Sequence, residues 1–431
     1  MRDLLPPEAS RRRRLARKLL DHIALHGYEL VTPPAFELAD VLERGLGALD
    51  PRDVLRFVEP ESGEVAALRP DVTPQIARIA ATRLADRPVP MRLCYEGTVL
   101  RRRQERARKH RQIPQTGVEL LGVPGPEGDL ELLRLAASSV RAAGLSDFVL
   151  DLGHADIART MLGEYPSLQA STILEALAHK DTAVLTDLAR ASGVAGPIRD
   201  ALLHLPSLHG GGEIWKEATR LLAPTPAAPS LAALHDLWER AVGAGLESVL
   251  RIDLGEVRGF AYYTGVIFHL FAEGPGEPMG SGGRYDDLLA RFGAPMPAAG
   301  FALDLDNLSW ALRACGNEDP LASRVLLDIG ARGTSLSLSL RSRGVACVTA
   351  LADPEAYARA WGYSHILRAS RGDELVLYEM ATSGSHSFSP TSDDDLAETL
   401  AEQLRSGEAR GSGPSEATPP ARSGSEGPAR K

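Results

Sequence analysis

Two neighbouring stretches, Arg258-Gly-Phe-Ala-Tyr-Tyr-Thr-Gly265 and Gly282-Gly-Arg-Tyr-Asp286, decide how the rest of this chain is read. The tyrosine pair Tyr262-Tyr263 has ordinary strand composition and leads into Val266-Ile-Phe-His-Leu270, a strand by its β-branched and aromatic content. Val249-Leu-Arg-Ile-Asp-Leu254, just upstream, has the same character. Gly280-Ser-Gly-Gly283 reads on its own as a hairpin or loop, and a helix follows Gly300. Strands in hairpin-like succession, rather than strict strand–helix alternation, point to an antiparallel sheet.

Further outward the pattern continues. Residues Glu8 to His26 place Leu15, Leu19, Leu20 and Ile23 at helical spacing, with arginines opposite. After Gly27, Tyr28-Glu-Leu-Val-Thr-Pro-Pro34 reads as a strand stopped by two prolines. Val65–Leu68, Pro90–Tyr95, Gly117–Leu121 and Phe148–Leu152 read as short strands, and Thr73–Ala85 and Asp129–Ala143 as helices. From about Ile157 to Ala244 the pattern is helical, broken by His209-Gly-Gly-Gly212 and a linker, Ala223–Ser230. The reading is an α+β core over residues 1–320, with a helical insertion at about 157–244 between strands of its sheet. A smaller α/β unit follows over 324–405, with strands at Val325–Ile329, Val345–Thr349 and Glu374–Tyr378. Its helices are expected at Ser335–Ser342, Pro354–Trp361 and Asp393–Leu404. Residues 406–431 are rich in Gly, Ser, Pro and Glu and are expected to stay disordered. There is no internal repeat.

Composition narrows the function classes. At 431 residues, 44% apolar and 24% charged, the chain is an ordinary globular protein of two or three domains. A net charge of −9 argues against a protein built mainly to grip nucleic acid. Cys94, Cys315 and Cys347 are too few and too scattered for a disulfide framework or a thiolate zinc site, so a reducing cytoplasmic setting is expected. Neither a signal-peptide pattern nor an apolar run of ~18 residues appears, and no membrane association is expected.

Several polar residues stand where a polar ligand could be held: Asp71 and Thr73 in Leu68-Arg-Pro-Asp-Val-Thr-Pro74, Arg101, Gln115 and Glu119 in Gln115-Thr-Gly-Val-Glu119, and Arg258, Tyr262 and Tyr263. Gln115 and Glu119 share one face of a strand. Singly, each has a structural explanation. Asp71 and Thr73 suit a turn and a helix cap, and Glu119 suits a buried carboxylate paired with an arginine. Together, and in this order, they resemble the core of the class II histidyl-tRNA synthetases across about Leu4 to Leu312. That stretch includes a motif 1-like Gly27–Pro34, a motif 2-like Tyr95–Glu119 and a run through Gly300-Phe-Ala-Leu-Asp-Leu-Asp-Asn307 into motif 3. The resemblance implies the synthetase-type antiparallel sheet flanked by helices, and a pocket for free histidine. By it, Asp71, Thr73 and Gln115 would hold the α-ammonium. Glu119 and Tyr263 would bracket the imidazole, with Tyr262 lining it, Arg258 would face the carboxylate, and Arg101 would be a further histidine-binding residue.

The chain departs from the family's pattern on the nucleotide side. Where a working synthetase has a motif 2 glutamate near adenine, this chain has Arg103. The adenine-stacking phenylalanine is Ile113, and the motif 3 arginine is Asn307, flanked by Asp304 and Asp306. Loss of a stacking partner and a phosphate-binding arginine should cost several kcal/mol of nucleotide affinity, and adenylation depends on stabilising those phosphates. Arg258, which serves adenylation in the family, is retained. The loop Arg101–Arg111, with seven Arg/Lys in eleven residues, is either a solvated loop or a docking patch for an acidic partner or a phosphate-rich ligand. The C-terminal unit resembles a shortened anticodon-binding domain. It carries eight Arg/Lys against eleven Asp/Glu, the wrong bias for gripping tRNA.

This combination is similar to the family branch of ATP phosphoribosyltransferase regulatory subunits, which are catalytically inactive relatives of the synthetases. That branch implies a short-form catalytic phosphoribosyltransferase as partner, L-histidine as ligand and feedback inhibitor, and a homodimeric core within a hetero-oligomer. It implies no catalytic residues, metal, cofactor or tRNA. The alternatives are a divergent histidyl-tRNA synthetase, or an amino-acid-binding regulator of some other enzyme.

Overall fold

The computed structural model describes residues 3–46, 54–101, 112–163, 165–191, 196–257, 262–318, 322–370, 374–382, 384–390 and 392–411. The basic loop after Arg101, the segment holding Arg258, and the tail beyond Gly411 lie outside the described residues. The chain divides into two compact units, Met1–Glu318 and Asp319–Lys431.

In the first unit nine of the described strands form one sheet, while Phe36–Leu38, Val65–Leu68 and Arg56–Val58 form a separate three-stranded one. The order of the larger sheet is Glu29–Leu30, Met91–Leu100, Gln112–Leu121, Ala298–Asp304, Gly280–Arg284, Val266–Phe271, Val149–His154, Leu250–Asp253 and His209–Gly210. The pairing of Glu29–Leu30 with Met91–Leu100 is parallel, as is that of Val149–His154 with Leu250–Asp253. All other neighbours are antiparallel. The α+β class with a largely antiparallel sheet is therefore the observed one.

Strand alternation sorts the sheet into two chemically different faces. Val118, Leu120, Leu150, Leu152, Phe268, Leu270, Phe301 and Leu303 point into one large apolar core. The helix Glu8–Ala24 covers it with Leu15, Leu19 and Ile23, and the helix Glu127–Ala143 with Leu132, Leu133, Ala136 and Val140. The intervening residues face the other way, where Tyr95, Tyr262, Tyr263, Tyr285 and Ile267 join a second cluster with the helix Thr73–Thr82. That second face carries the site.

Several local expectations change. Gly280–Arg284 is a central strand, not a loop. Glycine is required there because a Cβ at Gly283 would meet the Val266 carbonyl oxygen at 2.6 Å and the Tyr263 ring at 2.9 Å. The strand expected over Tyr28–Pro34 shrinks to Glu29–Leu30, because the carbonyls of Pro33 and Pro34 turn to accept from the buried Arg69 guanidinium. Pro229 and Ser230, read as linker, form the first turn of the helix Ala228–Gly243, where a proline's missing N–H costs nothing.

The helical insertion comprises Ala155–Leu162, Ser167–Ala178, Thr182–Ala191, Gly196–His204, Trp215–Leu222 and Ala228–Gly243. In the second unit a five-stranded sheet runs Ala346–Thr349, Arg324–Asp328, His365–Ala369, Leu375–Glu379, Ser385–Phe388. The strand Ser385–Phe388 holds one apolar residue and is defined by pairing with Leu375–Tyr378, so it left no period in the sequence. The last helix runs Asp393–Gly411, so residues 406–411 do not belong to a disordered tail. Leu396, Ala397, Leu400, Ala401 and Leu404 anchor it in the core, and extending a nucleated helix needs only one hydrogen bond per added residue.

Candidate functional site

The site is built on the strand Gln112–Leu121 and closed by three tyrosines. Glu119 sits opposite Gly300, which in turn pairs with Gly283. Having no side chain, Gly300 leaves room for the Glu119 carboxylate and the Tyr285 hydroxyl over the sheet. Glu119 is 1% exposed. Its Oε1 accepts from Thr73 Oγ1 at 2.7 Å, and its Oε2 accepts from the Tyr285 hydroxyl. Thr73 is presented at the start of its helix by a turn in which Asp71 Oδ1 accepts from the Thr73 amide at 3.2 Å. The other oxygen of Asp71 accepts from the Tyr262 hydroxyl at 2.6 Å. The rings of Tyr262 and Tyr285 meet edge-on with centroids 5.5 Å apart, and Tyr263 lies 5.0 Å from Tyr262.

Burial dominates the electrostatics. Desolvation pushes the Glu119 carboxyl well above its ordinary range; the Thr73 hydroxyl opposes that rise and the nearby Asp71 charge adds to it. Burial likewise raises the hydroxyls of Tyr95, Tyr262 and Tyr263, so they remain neutral donors. The pocket thus presents two carboxyl groups held by hydroxyl donors, an environment that favours a cationic or N–H-rich ligand group.

The structure brings together Asp71, Thr73, Glu119, Tyr262 and Tyr263. Arg101 lies at the margin: its Nε donates to the Pro70 carbonyl at 3.4 Å, and its charge acts on Tyr263. Gln115 is on the same face as Glu119 but four residues along the strand, opposite Gly97 and Asp304. Arg258 lies outside the described residues. The sequence reading gave no role to Tyr285 or Tyr95. Tyr285 follows Gly282-Gly-Arg284, and its period-2 offset from Gly283 was the available signal. Tyr95 sits opposite Gly117, over which its ring lies.

The opposite end of the same strands is spent on structure. Asn307, at the motif 3 position, is buried and donates Nδ2–H to the Pro278 carbonyl at 2.7 Å. Asp304 caps the helix Leu305–Ala314 by accepting from the amides of Asp306 and Asn307 at 3.0 and 3.1 Å. Ile113 is buried in the apolar cluster. Back at the Glu119 end, Arg284 stands opposite Ala299 and is occupied by Asp129 at 2.7 Å and Asp286 at 2.9 Å. Among the described residues no group of acidic, His or Cys side chains is arranged to hold a metal, and no helix is long and apolar enough to cross a membrane.

The histidyl-tRNA synthetase family model matches residues 1–308. An ATP phosphoribosyltransferase regulatory subunit of Moorella thermoacetica is 40% identical over 352 residues, covering 80% of this chain and 90% of that one. The chain belongs to the family of ATP phosphoribosyltransferase regulatory subunits. The Syntrophotalea carbinolica regulatory subunit is 34% identical over 402 residues, spanning 90% of this chain and 94% of its own length. A crystal structure described as an ATP phosphoribosyltransferase regulatory subunit/histidyl-tRNA synthetase from Bacillus halodurans superposes with a TM-score of 0.73 at 28% identity. It covers 85% of this chain and 96% of that one.

Proposed function

We propose that this chain is the regulatory subunit of an ATP phosphoribosyltransferase of the first step of L-histidine biosynthesis. It supports a short-form catalytic subunit and imposes feedback inhibition when histidine occupies the pocket around Glu119. In this reading Glu119 and Tyr263 flank the imidazole beside Tyr262. Asp71, Thr73 and Gln115 take the α-ammonium, Arg258 faces the carboxylate, and Arg101 is a further histidine-binding residue. Asp71 already accepts from Tyr262, but a carboxylate has about four acceptor sites and can take the ammonium as well.

One contrast carries the proposal. On the same pair of strands, the Glu119 end keeps buried acceptors without a cationic partner among the described residues, while Asn307 at the other end donates its amide to Pro278. The amino-acid side suits a ligand and the nucleotide side is committed to holding the fold. The chain therefore senses histidine without activating it. Control of a second subunit follows if histidine binds two states of the assembly unequally, with a homodimeric core as the natural base for such an assembly.

Calorimetric titration of the purified chain with histidine and with ATP tests this, alongside histidine-dependent ATP–pyrophosphate exchange and histidine inhibition of the reconstituted transferase. Histidine binding with no exchange is the expected result. Robust exchange by the chain alone would identify a synthetase instead.

A further inference from the structure

The helical insertion reaches the Tyr263 carbonyl in the site and the buried Asp253 on the strand leading toward it, two points that the motifs named above do not include. We infer that Lys180 and Arg159 are positioning residues for ligand recognition, clamping the two described flanks of residues 258–261; the consequence for histidine affinity rests on the function proposed above.

Lys180 lies in the turn between the helices Ser167–Ala178 and Thr182–Ala191. It is the one side-chain-bearing residue among the described residues with φ in the left-handed region, at 53°. That conformation closes the helix Ser167–Ala178, with the Lys180 and Asp181 amides donating to the Leu177 and Ala176 carbonyls, both at 2.9 Å. From this turn the Lys180 Nζ donates to Asp253 Oδ2 at 2.7 Å, and the other Asp253 oxygen accepts from the Gly255 amide at 3.0 Å. Asp253 is 6% exposed, and removing one partner of a buried ion pair is strongly destabilising. The insertion supports this flank twice more. The Leu254 amide donates to the Leu208 carbonyl at 3.0 Å, and Gly255 lies so close to Leu205 that a Cβ would stand 2.8 Å from its carbonyl oxygen.

The other flank is held in the same manner. Arg159, in the helix Ala155–Leu162, donates Nη2–H to the Tyr263 carbonyl at 2.9 Å and Nη1–H to Asp156 Oδ1 at 2.8 Å. The Ala155 amide donates to the Gly265 carbonyl at 2.9 Å. The backbone of the tyrosine pair is thereby fixed by the insertion, while the Tyr262 hydroxyl and the Tyr262 and Tyr263 rings form the pocket wall over Asp71 and Tyr285. Movement of the insertion and shape of the pocket become one variable. A ligand that tightens the wall tightens the insertion, and a partner that shifts the insertion loosens the wall.

The test uses the full chain with Lys180→Met and Arg159→Met, and with Lys180→Arg and Arg159→Lys as conservative controls that retain folding. Two quantities are read: the histidine Kd by calorimetry, and hydrogen–deuterium exchange of ligand-free peptides covering 250–257 and 262–268. The methionine variants should exchange faster in both peptides and bind histidine roughly 3- to 30-fold more weakly. Lys180→Arg should return both readings close to the parent. Unchanged exchange and unchanged Kd overturn the clamp. Faster exchange with unchanged Kd overturns the positioning role. If a methionine variant does not fold, Lys180→Gln and Arg159→Gln take its place: unchanged exchange and unchanged Kd in both would again overturn the clamp. A parent chain that fails to bind histidine would defeat the proposed function, and the exchange data alone would then decide whether the insertion holds these flanks.

Discussion

Replacing Glu119 by glutamine should move affinity and stability in opposite directions. The swap keeps the volume of a side chain that is 1% exposed and keeps an acceptor for a hydroxyl donor. It removes the ability to carry charge. In the free chain that ability is a burden: desolvation and the neighbouring Asp71 raise the carboxyl far above its ordinary range. A carboxyl with a raised folded pKa contributes stability that is full below the unfolded value and is lost as pH rises through the folded one. Glu119→Gln should therefore melt no lower than the parent at pH 8, and its stability should fall less steeply as pH rises. On the function proposed above, bound histidine gives the carboxylate an N–H partner. A hydrogen bond to a charged group contributes about 1.5–3 kcal/mol, so the variant should bind histidine about 10- to 150-fold more weakly. Calorimetric titration at pH 7 and 8, paired with thermal unfolding across pH 5–8.5, reads both effects. A Kd within about twofold of the parent would remove Glu119 from ligand recognition, and a variant destabilised at high pH would refute the account of its burial.

Three further outcomes follow from the same kind of reasoning. Asp151 is held up to about 7 by desolvation and by the facing Asp253, against the pull of Lys180 and Arg251. Its contribution is lost as pH rises toward 7, so Asp151→Asn should be the more stable protein above pH 7, with the gap closing toward pH 4. The shift bounds that gain at about 4 kcal/mol, about half of it after screening, or several degrees in Tm. His154 is pushed down to about 4 by desolvation, and its neutral Nδ1 caps the helix Ala155–Leu162 by accepting from the Asp156 amide at 3.2 Å. The unfolded chain takes that proton first, so up to about 3 kcal/mol is lost as pH falls from 6.5 toward 4; His154→Ser should flatten the acid limb of the unfolding profile. Asn307→Arg should not create ATP–pyrophosphate exchange, because Ile113 and Arg103 remain, and overpacking a buried position should cost about 1–3 kcal/mol in chemical denaturation.

Much of the site was legible before the fold. Asp71, Thr73, Glu119, Tyr262 and Tyr263 converge because each sits on an element whose type and face follow from local pattern. Tyr285 and Tyr95 were not legible as site residues, since a tyrosine in a strand carries no sign of which cross-strand neighbour it will cover. Gly280–Arg284 shows the same limit from the other side. Its glycines look like a loop until the rings and carbonyls packed against them are known. Asn307 was read as a lost arginine from its place in the run after Gly300, but its bond to Pro278 belongs to a loop whose position no local pattern specifies.

By itself the order of residues determined the α+β class, the alternation that puts Glu119 and Val118 on opposite faces, and the absence of motif 3's arginine, because these depend only on spacing and chemical type. Tertiary structure alone decided that Glu119 is sealed from water with hydroxyls for company, that Gly300 makes room for it, and that from the insertion Arg159 reaches the Tyr263 carbonyl and Lys180 reaches Asp253. Those facts arise from register and packing between segments far apart in the chain, where the cost of burying charge is set by neighbours that no local window contains.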